Sequence, residues 1–180
     1  SLLQVIKCLE KNDVELLEKV KGIIVNNNGK LTKTGQAQIV NNIDDYPFPK
    51  LEIFGVKRIK VYKVMGSRGC PFNCSFCFSY LGETWRGRSP EKIIQELCEA
   101  KEKYEFERYR FLDPLFNFNS ERVHEICDLI IRSDLKGIPW EAAAVRADKI
   151  DQALSKHMVE AGCKQVGFGI ETLHPDVFKS

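Results

Sequence analysis

Residues 67–77 read SRGCPFNCSFC, and the chemistry of the chain centres on this stretch. It places three of the seven cysteines, Cys70, Cys74 and Cys77, within eight positions on a turn that also contains glycine and proline. Thiolates this close together are typical of a ligand set, and they select zinc, copper(I) or iron-sulfur clusters. Structural zinc sites usually draw four ligands from two separated pairs, whereas this C-x-x-x-C-x-x-C triplet has no evident fourth ligand nearby. The spacing therefore favours a four-iron cluster with one iron open to a substrate or cofactor.

The triplet, with Phe76 before its last cysteine, resembles the signature of the radical S-adenosylmethionine enzymes. The resemblance implies that Cys70, Cys74 and Cys77 hold a 4Fe-4S cluster, whose unique iron chelates the amino and carboxylate groups of S-adenosylmethionine. Phe76 is then expected against the adenine side of this cofactor. Its reductive cleavage yields a 5′-deoxyadenosyl radical, which abstracts hydrogen from a small-molecule substrate. The electron is expected from a one-electron reductant such as flavodoxin or ferredoxin.

Composition limits the class of protein. A chain of 180 residues with 43% hydrophobic and 29% charged residues is typical of a soluble globular protein, with one domain or one domain and part of another. No apolar run is long enough for a membrane span, and the start lacks the pattern of a signal peptide. A net charge of +2 gives no electrostatic reason to expect nucleic acid as a partner. The four cysteines outside the triplet are scattered, which indicates a reducing cytoplasm rather than a disulfide framework.

The segment before the triplet predicts a small region of helices and a hairpin. Apolar positions in residues 1–21, interrupted at Asn12 and Asp13, predict two short helices, with Cys8 as a small buried hydrophobe. Residues 22–34 contain two β-prone runs around an Asn-Gly pair, which is typical of a β-hairpin. Prolines and acidic residues in 41–54 predict an extended linker, with a domain boundary near residue 45.

This order of segments resembles the junction between a cobalamin-binding domain and a radical S-adenosylmethionine domain. Residues 85–91, which read WRGRSPE, resemble a run of that cobalamin-associated subgroup. Residues 1–45 are therefore expected to be the tail of a cobalamin-binding-like domain with its linker, and residues 46–180 the N-terminal part of the radical domain. The subgroup's Asp-x-His-x-x-Gly motif, which supplies the lower axial histidine, has no match in this sequence. Cobalamin is expected only through a domain missing from this chain.

Strand and helix patterns alternate after residue 56. Strands are predicted at 57–66, 108–112, 138–145 and 165–170, and helices from Pro90 to about Tyr104, after the cap Asn119, from about Lys149 to Ala161, and near Pro175. This alternation predicts an α/β fold with a parallel sheet and outer helices. The resemblance implies a partial (β/α) barrel, truncated after about four βα units and preceded by the helix-hairpin segment.

Polar residues follow each predicted strand. Because the carboxyl ends of parallel strands meet at one edge of a sheet, the cysteines, Asp113, Arg146 and Glu171 are expected to face one another. The resemblance implies that Asp113, in the segment that lines the methionine amino group, accepts a bond from the cofactor's ammonium. It likewise implies that Arg146 pairs with the methionine carboxylate through its planar fork and that Glu171 accepts bonds from the ribose hydroxyls. No catalytic residue is assigned beyond the cluster ligands.

The leading prediction is a radical S-adenosylmethionine enzyme that, at full length, performs cobalamin-dependent methyl transfer or a rearrangement. One alternative keeps the radical chemistry without cobalamin, as in methylthio-transferases and RNA-modifying relatives. An alternative of another class is a zinc-stabilised or electron-carrying iron-sulfur module without catalysis.

Overall fold

The computed structural model describes residues 2–78, 82–174 and 176, and the chain divides into two compact units, Ser1–Asn41 and Asn42–Ser180. The first unit contains helices α1 (Leu2–Glu10) and α2 (Val14–Leu17) and strands β1 (Ile24–Asn27) and β2 (Lys30–Lys33). The two strands form an antiparallel hairpin, and Asn28 and Gly29 turn with φ angles of 50° and 88°. Positive φ at both turn positions is what an Asn-Gly pair adopts most readily. The predicted helix pair and hairpin are confirmed, and Cys8 is buried.

The linker segment has more structure than its prolines predict. Two 3-10 helices, Ile43–Asp45 and Leu51–Phe54, interrupt it. Ile43 is buried, and the Ser89 N–H donates to both carboxylate oxygens of Asp44, at 3.1 and 3.2 Å. Residues from Asn42 onward therefore belong to the second unit, whereas the sequence predicts a boundary near residue 45. The assignment of residues 1–45 to a cobalamin-binding-like domain stays a prediction.

The second unit alternates strands and helices around one parallel sheet. Its elements are β3 (Arg58–Val64), β4 (Ser67–Arg68), β5 (Arg86–Gly87), α3 (Pro90–Lys103), β6 (Glu105–Phe111), α4 (Ser120–Arg132), β7 (Trp140–Val145), α5 (Gln152–Glu160) and β8 (Cys163–Phe168). The sheet has the order β3-β6-β7-β8, with all neighbours parallel. The predicted α/β fold with four parallel strands is confirmed. The helix predicted near Pro175 falls at residues outside those described.

In the second unit, the residue before each α-helix has a side chain that accepts a hydrogen bond from the first turn of that helix. The Ser89 hydroxyl accepts from the Lys92 N–H of α3 at 3.3 Å, and Pro90 occupies the first helical position. Asn119 accepts from α4 at 2.9 Å and Asp151 from α5 at 2.7 Å. Such caps satisfy backbone donors that have no partner inside the helix. They fix where each strand-to-helix loop ends, including the loop that carries the cysteines.

The core lies between the sheet and its helices. Tyr109, Phe111, Phe116 and Trp140 form an aromatic cluster with no exposed surface, and the helices cover it with aliphatic side chains. Each such side chain stabilises the fold by about 1.5–3 kcal/mol when fully buried. The result is a rigid sheet whose carboxyl edge holds the following loops in place. Among the described residues, no helix is both long and apolar enough to cross a lipid bilayer.

The other face of the sheet is charged. Lys63, Arg110, Glu141 and Gln165 are register partners in one row across all four strands. Glu141 is buried and accepts from the Arg110 Nε at 2.6 Å, with Arg108 Nε 3.2 Å away. Strand alternation places this row opposite the aromatic core.

Candidate cluster and cofactor site

We define the cysteine loop as residues 66–88, which connect β3 to α3. Arg146, directly after β7, lies against this loop, with its Cζ 4.0 Å from the centroid of the Phe72 ring. The hydrogen bonds that Arg146 donates to Asp148 raise the pKa of its guanidinium, and the nearby Cys74 and Cys70 raise it further by a smaller amount. The structure thus brings together the loop after the first sheet strand and the cation after the third.

The three thiols are free, with Cys70 half-buried and Cys74 and Cys77 exposed. The Cys70 N–H donates to the Gly82 carbonyl at 3.1 Å, and the Cys77 N–H donates to the Cys74 carbonyl at 3.0 Å. Within the described residues, no group of three or more His, Cys, Asp or Glu side chains is placed to hold a single metal ion. A four-iron cluster carries its irons at separate corners, so its thiolate ligands do not converge on one point. Three accessible thiols on one short loop fit such a cluster in ligand type and number.

A glycine at the start of the loop allows a close approach of two backbone segments. Gly69 has a φ of 77°, and a Cβ added there would lie 2.1 Å from the Thr84 carbonyl oxygen. The returning strand of the loop therefore passes directly over the residue before Cys70. Any larger side chain at this position would push the two arms of the loop apart.

The Arg146 side chain already has a carboxylate partner. Its Nε and Nη2 donate to the two oxygens of Asp148, each at 2.8 Å. A guanidinium has five N–H donors, so this pair leaves donors for a second carboxylate. The Arg146 backbone is held by Asn117, which is fully buried and bonds both its N–H and its carbonyl at 2.9 Å. Asn117 had no distinguishing signal in the sequence, because its partner is 29 positions away.

Asp113 follows β6, which ends at Phe111, and its carboxylate bonds the start of the cysteine loop. It is only 3% exposed, and it accepts from the Gly66 N–H and the Ser67 hydroxyl, each at 2.7 Å. Burial raises the pKa of its carboxyl group, while the bond from Ser67 and the charge of Arg122 oppose that rise. Both oxygens are therefore engaged beneath the cysteine loop, where Asp113 holds the base of the loop. The predicted contact of Asp113 with the ammonium of the cofactor stays a prediction.

Phe76 and Glu171 lie at the surface. The Phe76 side chain is 66% exposed, and Glu171 is exposed three residues after β8 ends at Phe168. Among the described residues, Glu171 has no hydrogen bond or ion pair to the cysteine loop. The predicted contacts of these two residues with adenine and ribose stay predictions.

One buried cation of the site, Arg122 of α4, was missed by the sequence analysis. It is 8% exposed, and its Nε and Nη2 donate to the carbonyls of Arg88 and Gly66 at 2.8 and 2.6 Å. Arg122 precedes Ile126 by four positions and Ile130 by eight, so it lies on the apolar stripe of its helix. A charged residue on an apolar helix stripe is the sequence pattern that could have identified Arg122 as a buried cation.

We expect the thiols of the reduced, metal-free protein to react in two classes. Cys74 and Cys77 are exposed, whereas burial raises the pKa of Cys127 to about 12 and that of Cys163 to about 11. At pH 8 the thiolate fraction of Cys127 is then about 10⁻⁴, so its alkylation is slow. Timed alkylation with iodoacetamide and peptide mass spectrometry should show the loop cysteines modified first. Equal rates for Cys127 and Cys74 would contradict this expectation, and labelling in urea provides the unfolded control.

Comparison with known proteins finds similar sequences that match most of this chain. The family model described as Radical SAM superfamily matches residues 64–179. An uncharacterised methyltransferase of Pyrococcus horikoshii is 34% identical over 91% of this chain and 37% of its own length. A bacteriochlorophyllide d C-8(2)-methyltransferase of Chlorobaculum tepidum is 28% identical over 69% of this chain and 28% of its own length. An anaerobic magnesium-protoporphyrin IX monomethyl ester cyclase of Cereibacter sphaeroides is 26% identical over 98% of this chain and 31% of its own length.

A solved structure has the same fold. The radical S-adenosylmethionine methyltransferase TsrM of Kitasatospora setae, determined with tryptophan and a cofactor analogue bound, superposes with a TM-score of 0.66 at 14% sequence identity. The alignment covers 96% of this chain and 37% of TsrM. This chain therefore spans between 28% and 37% of the length of these relatives.

Proposed function

Because this chain belongs to the radical S-adenosylmethionine superfamily of enzymes, we propose that it is the cluster-binding part of a radical S-adenosylmethionine methyltransferase. The observation that carries the proposal is the cysteine loop at the carboxyl edge of a parallel sheet, with the Arg146 guanidinium 4.0 Å from a ring of that loop. Methyl transfer is supported by the relatives from Pyrococcus and Chlorobaculum, which are named methyltransferases.

In this proposal Cys70, Cys74 and Cys77 are the three protein ligands of a 4Fe-4S cluster. With S-adenosylmethionine on its open iron, such a cluster supplies the one-electron reductive cleavage of the sulfonium. The exposure of Cys74 and Cys77 supports the proposal that a one-electron reductant such as flavodoxin or ferredoxin delivers the electron to that centre. All seven cysteines are free thiols, in keeping with the reducing cytoplasm proposed for the protein.

The remaining site residues orient the cofactor. The N–H groups of Arg146 that Asp148 does not use would donate to the methionine carboxylate. We assign Phe76 to the adenine and Glu171 to the ribose hydroxyls, following the family pattern. Asp113 is assigned to the support of the loop.

Cobalamin is proposed as the methyl carrier, bound by a domain other than the residues present here. This follows from the order of the helix-hairpin segment, the linker and the cysteine loop, together with the WRGRSPE run at residues 85–91. A ring-forming rearrangement is the second candidate, because the cyclase of Cereibacter aligns with 98% of this chain. A radical enzyme without cobalamin and an electron-carrying module are the remaining outcomes.

The test uses the full-length protein, purified and reconstituted without oxygen. We expect about four irons per chain, as a 4Fe-4S cluster requires, and conversion of S-adenosylmethionine to 5′-deoxyadenosine or S-adenosylhomocysteine after addition of a strong reductant. Chromatography with mass spectrometry measures both products and any bound cobalamin. Four irons with neither product would indicate an electron carrier. Stoichiometric zinc with no reducible cluster would indicate a structural metal site.

A further inference from the structure

The two ends of the cysteine loop share one side chain. The Arg122 Nη2 donates to the carbonyl of Gly66 at 2.6 Å, and its Nε donates to the carbonyl of Arg88 at 2.8 Å. Gly66 is the first residue of the loop and Arg88 is the last. A planar guanidinium can bond two carbonyls at once in a fixed geometry, which an ammonium cannot. The Arg88 N–H also donates to the Gly66 carbonyl at 2.8 Å, so Arg122 adds two side-chain bonds to a direct backbone bond between the two ends of the loop.

Asp113 holds the entry side from the opposite direction. It accepts from the Gly66 N–H and the Ser67 hydroxyl, each at 2.7 Å, so Gly66 is bonded through both its N–H and its carbonyl. A Cβ added at Gly66 would lie 3.1 Å from Arg122 Nη2 and 3.1 Å from Asp113 Oδ2. The two charged side chains thus enclose Gly66, and the first residues of the loop have no room to shift.

The exit side packs on the same guanidinium. The Trp85 ring lies 5.5 Å from Arg122 Cζ, and its Nε1 donates to the Leu115 carbonyl at 3.2 Å. A Cβ added at Gly87 would lie 2.4 Å from the Trp85 ring and 3.1 Å from Arg122 Nε. Strands β4 and β5 pair between these contacts, with Ser67 opposite Gly87. The exit of the loop is therefore as tightly packed as its entry.

Stability alone does not explain this arrangement. Arg122 Nη1 is buried and has no hydrogen-bond partner in the described part of the chain. Burying a charged group costs stability unless it is paired and fully hydrogen-bonded, whereas an apolar side chain of similar volume carries no such cost. What an apolar pair could not supply is the set of directed bonds to Gly66, Ser67 and Arg88.

We propose that Arg122 and Asp113 are positioning residues that fix the base of the cysteine loop and so preorganise Cys70, Cys74 and Cys77 before a cluster binds. Cys70 lies four residues after Gly66, and its N–H bonds the returning arm at Gly82. With both ends fixed, the loop loses less conformational entropy when its thiolates bind metal. The inference concerns the loop without its cluster, so it is independent of the reaction proposed above.

The experiment compares Arg122→Lys and Arg122→Met with Arg132→Lys. Arg132 is on the same helix, and its side chain is 73% exposed, with Asp128 3.7 Å away. The first readout is the ratio of alkylation rates of Cys74 and Cys70 in the reduced, metal-free protein. We expect Cys70, half-buried in the native loop, to approach the rate of Cys74 in both Arg122 variants and to keep its slower rate in the Arg132 variant.

The second readout is iron retained after reconstitution and gel filtration under a chelator, together with the electron paramagnetic resonance spectrum of the reduced protein. Outer residues that orient metal ligands typically change affinity by about 10–100-fold, and we expect a loss in that range for both Arg122 variants. Native alkylation ratios and iron retention in Arg122→Lys would overturn the proposal, whatever the folding of Arg122→Met. A wild-type protein that never cleaves S-adenosylmethionine would refute the proposed function and leave this result unaffected.

Discussion

Replacing Cys74 with alanine is expected to abolish cleavage of S-adenosylmethionine by the full-length, reconstituted enzyme. The rate should fall by at least about 10³-fold, which corresponds to about 4 kcal/mol. The physical reason is that the loop supplies only three thiolates, so the loss of one leaves two protein ligands for a cluster of four irons. The measurement is the amount of 5′-deoxyadenosine and S-adenosylhomocysteine formed over time, with iron content determined on the same sample.

The matched control is Cys98→Ala. Cys98 lies in α3, partly buried against the core, and burial raises the pKa of its thiol. We expect its removal to leave both the iron content and the rate within about twofold of the wild type, because a buried thiol of this kind acts as a small hydrophobe. Cys74 is exposed, so its substitution should leave the melting temperature of the metal-free protein unchanged. An active Cys74→Ala variant, or equal losses in both variants, would refute the ligand assignment.

The second large effect concerns the carboxylate beneath the loop. Asp113→Ala is expected to destabilise the second unit by about 3–5 kcal/mol, because the Gly66 N–H and the Ser67 hydroxyl lose their acceptor, and each buried donor left unsatisfied costs about 1–3 kcal/mol. The substitution also removes the carboxylate that acts most strongly on the buried Arg122, while Asp44 and Glu125 still act on it more weakly. A domain is typically stable by only about 5–15 kcal/mol, so the loss would be a substantial fraction of the total.

Urea unfolding followed by tryptophan fluorescence suits this measurement, because both tryptophans, Trp85 and Trp140, lie in the second unit. The control is Asp148→Ala, which removes a side chain that is 58% exposed from its pair with Arg146. Exposed ion pairs contribute little to stability, so we expect an unfolding midpoint close to that of the wild type. Asp113→Asn retains one acceptor oxygen, so its unfolding midpoint should lie between those of Asp113→Ala and Asp148→Ala. Equal midpoints for Asp113→Ala and the wild type would show that the bonds of Asp113 to Gly66 and Ser67 do not support the fold.

Several features of the protein could be predicted because their physical causes are local. Ser89 and Asn119 cap α3 and α4, as hydroxyl and amide side chains before an apolar stripe indicate. The Asn-Gly pair at residues 28–29 forms the hairpin turn, and the alternation of apolar patterns predicts the four parallel strands. Each of these sequence patterns lies in the helix, strand or turn that it predicts, or directly before it.

The residues that support the loop without a signal in the sequence share one feature, which is that their partners are distant in the chain. Asp113 directly follows its strand, as the sequence predicts. Its carboxylate lies beneath the cysteine loop and bonds Gly66, which is 47 positions earlier in the chain. Arg122 bonds the same glycine from 56 positions later. No local sequence pattern predicts which backbone groups a buried charged side chain will bond when those groups are about 50 positions away in the chain. It is determined only when tertiary packing brings the start of α4 beside Gly66 and Arg88.

The sequence by itself therefore predicts the proposed ligand set, because the spacing of Cys70, Cys74 and Cys77 is a property of eight consecutive residues. It also determined the order of strands and helices, since apolar periodicity decides each element in turn. The tertiary structure alone decided which side chains support the cysteine loop and which face its cofactor side. That division depends on desolvation: a charge enclosed by the sheet, α4 and the loop must bond the nearest backbone groups, and those groups become neighbours only when the chain has folded.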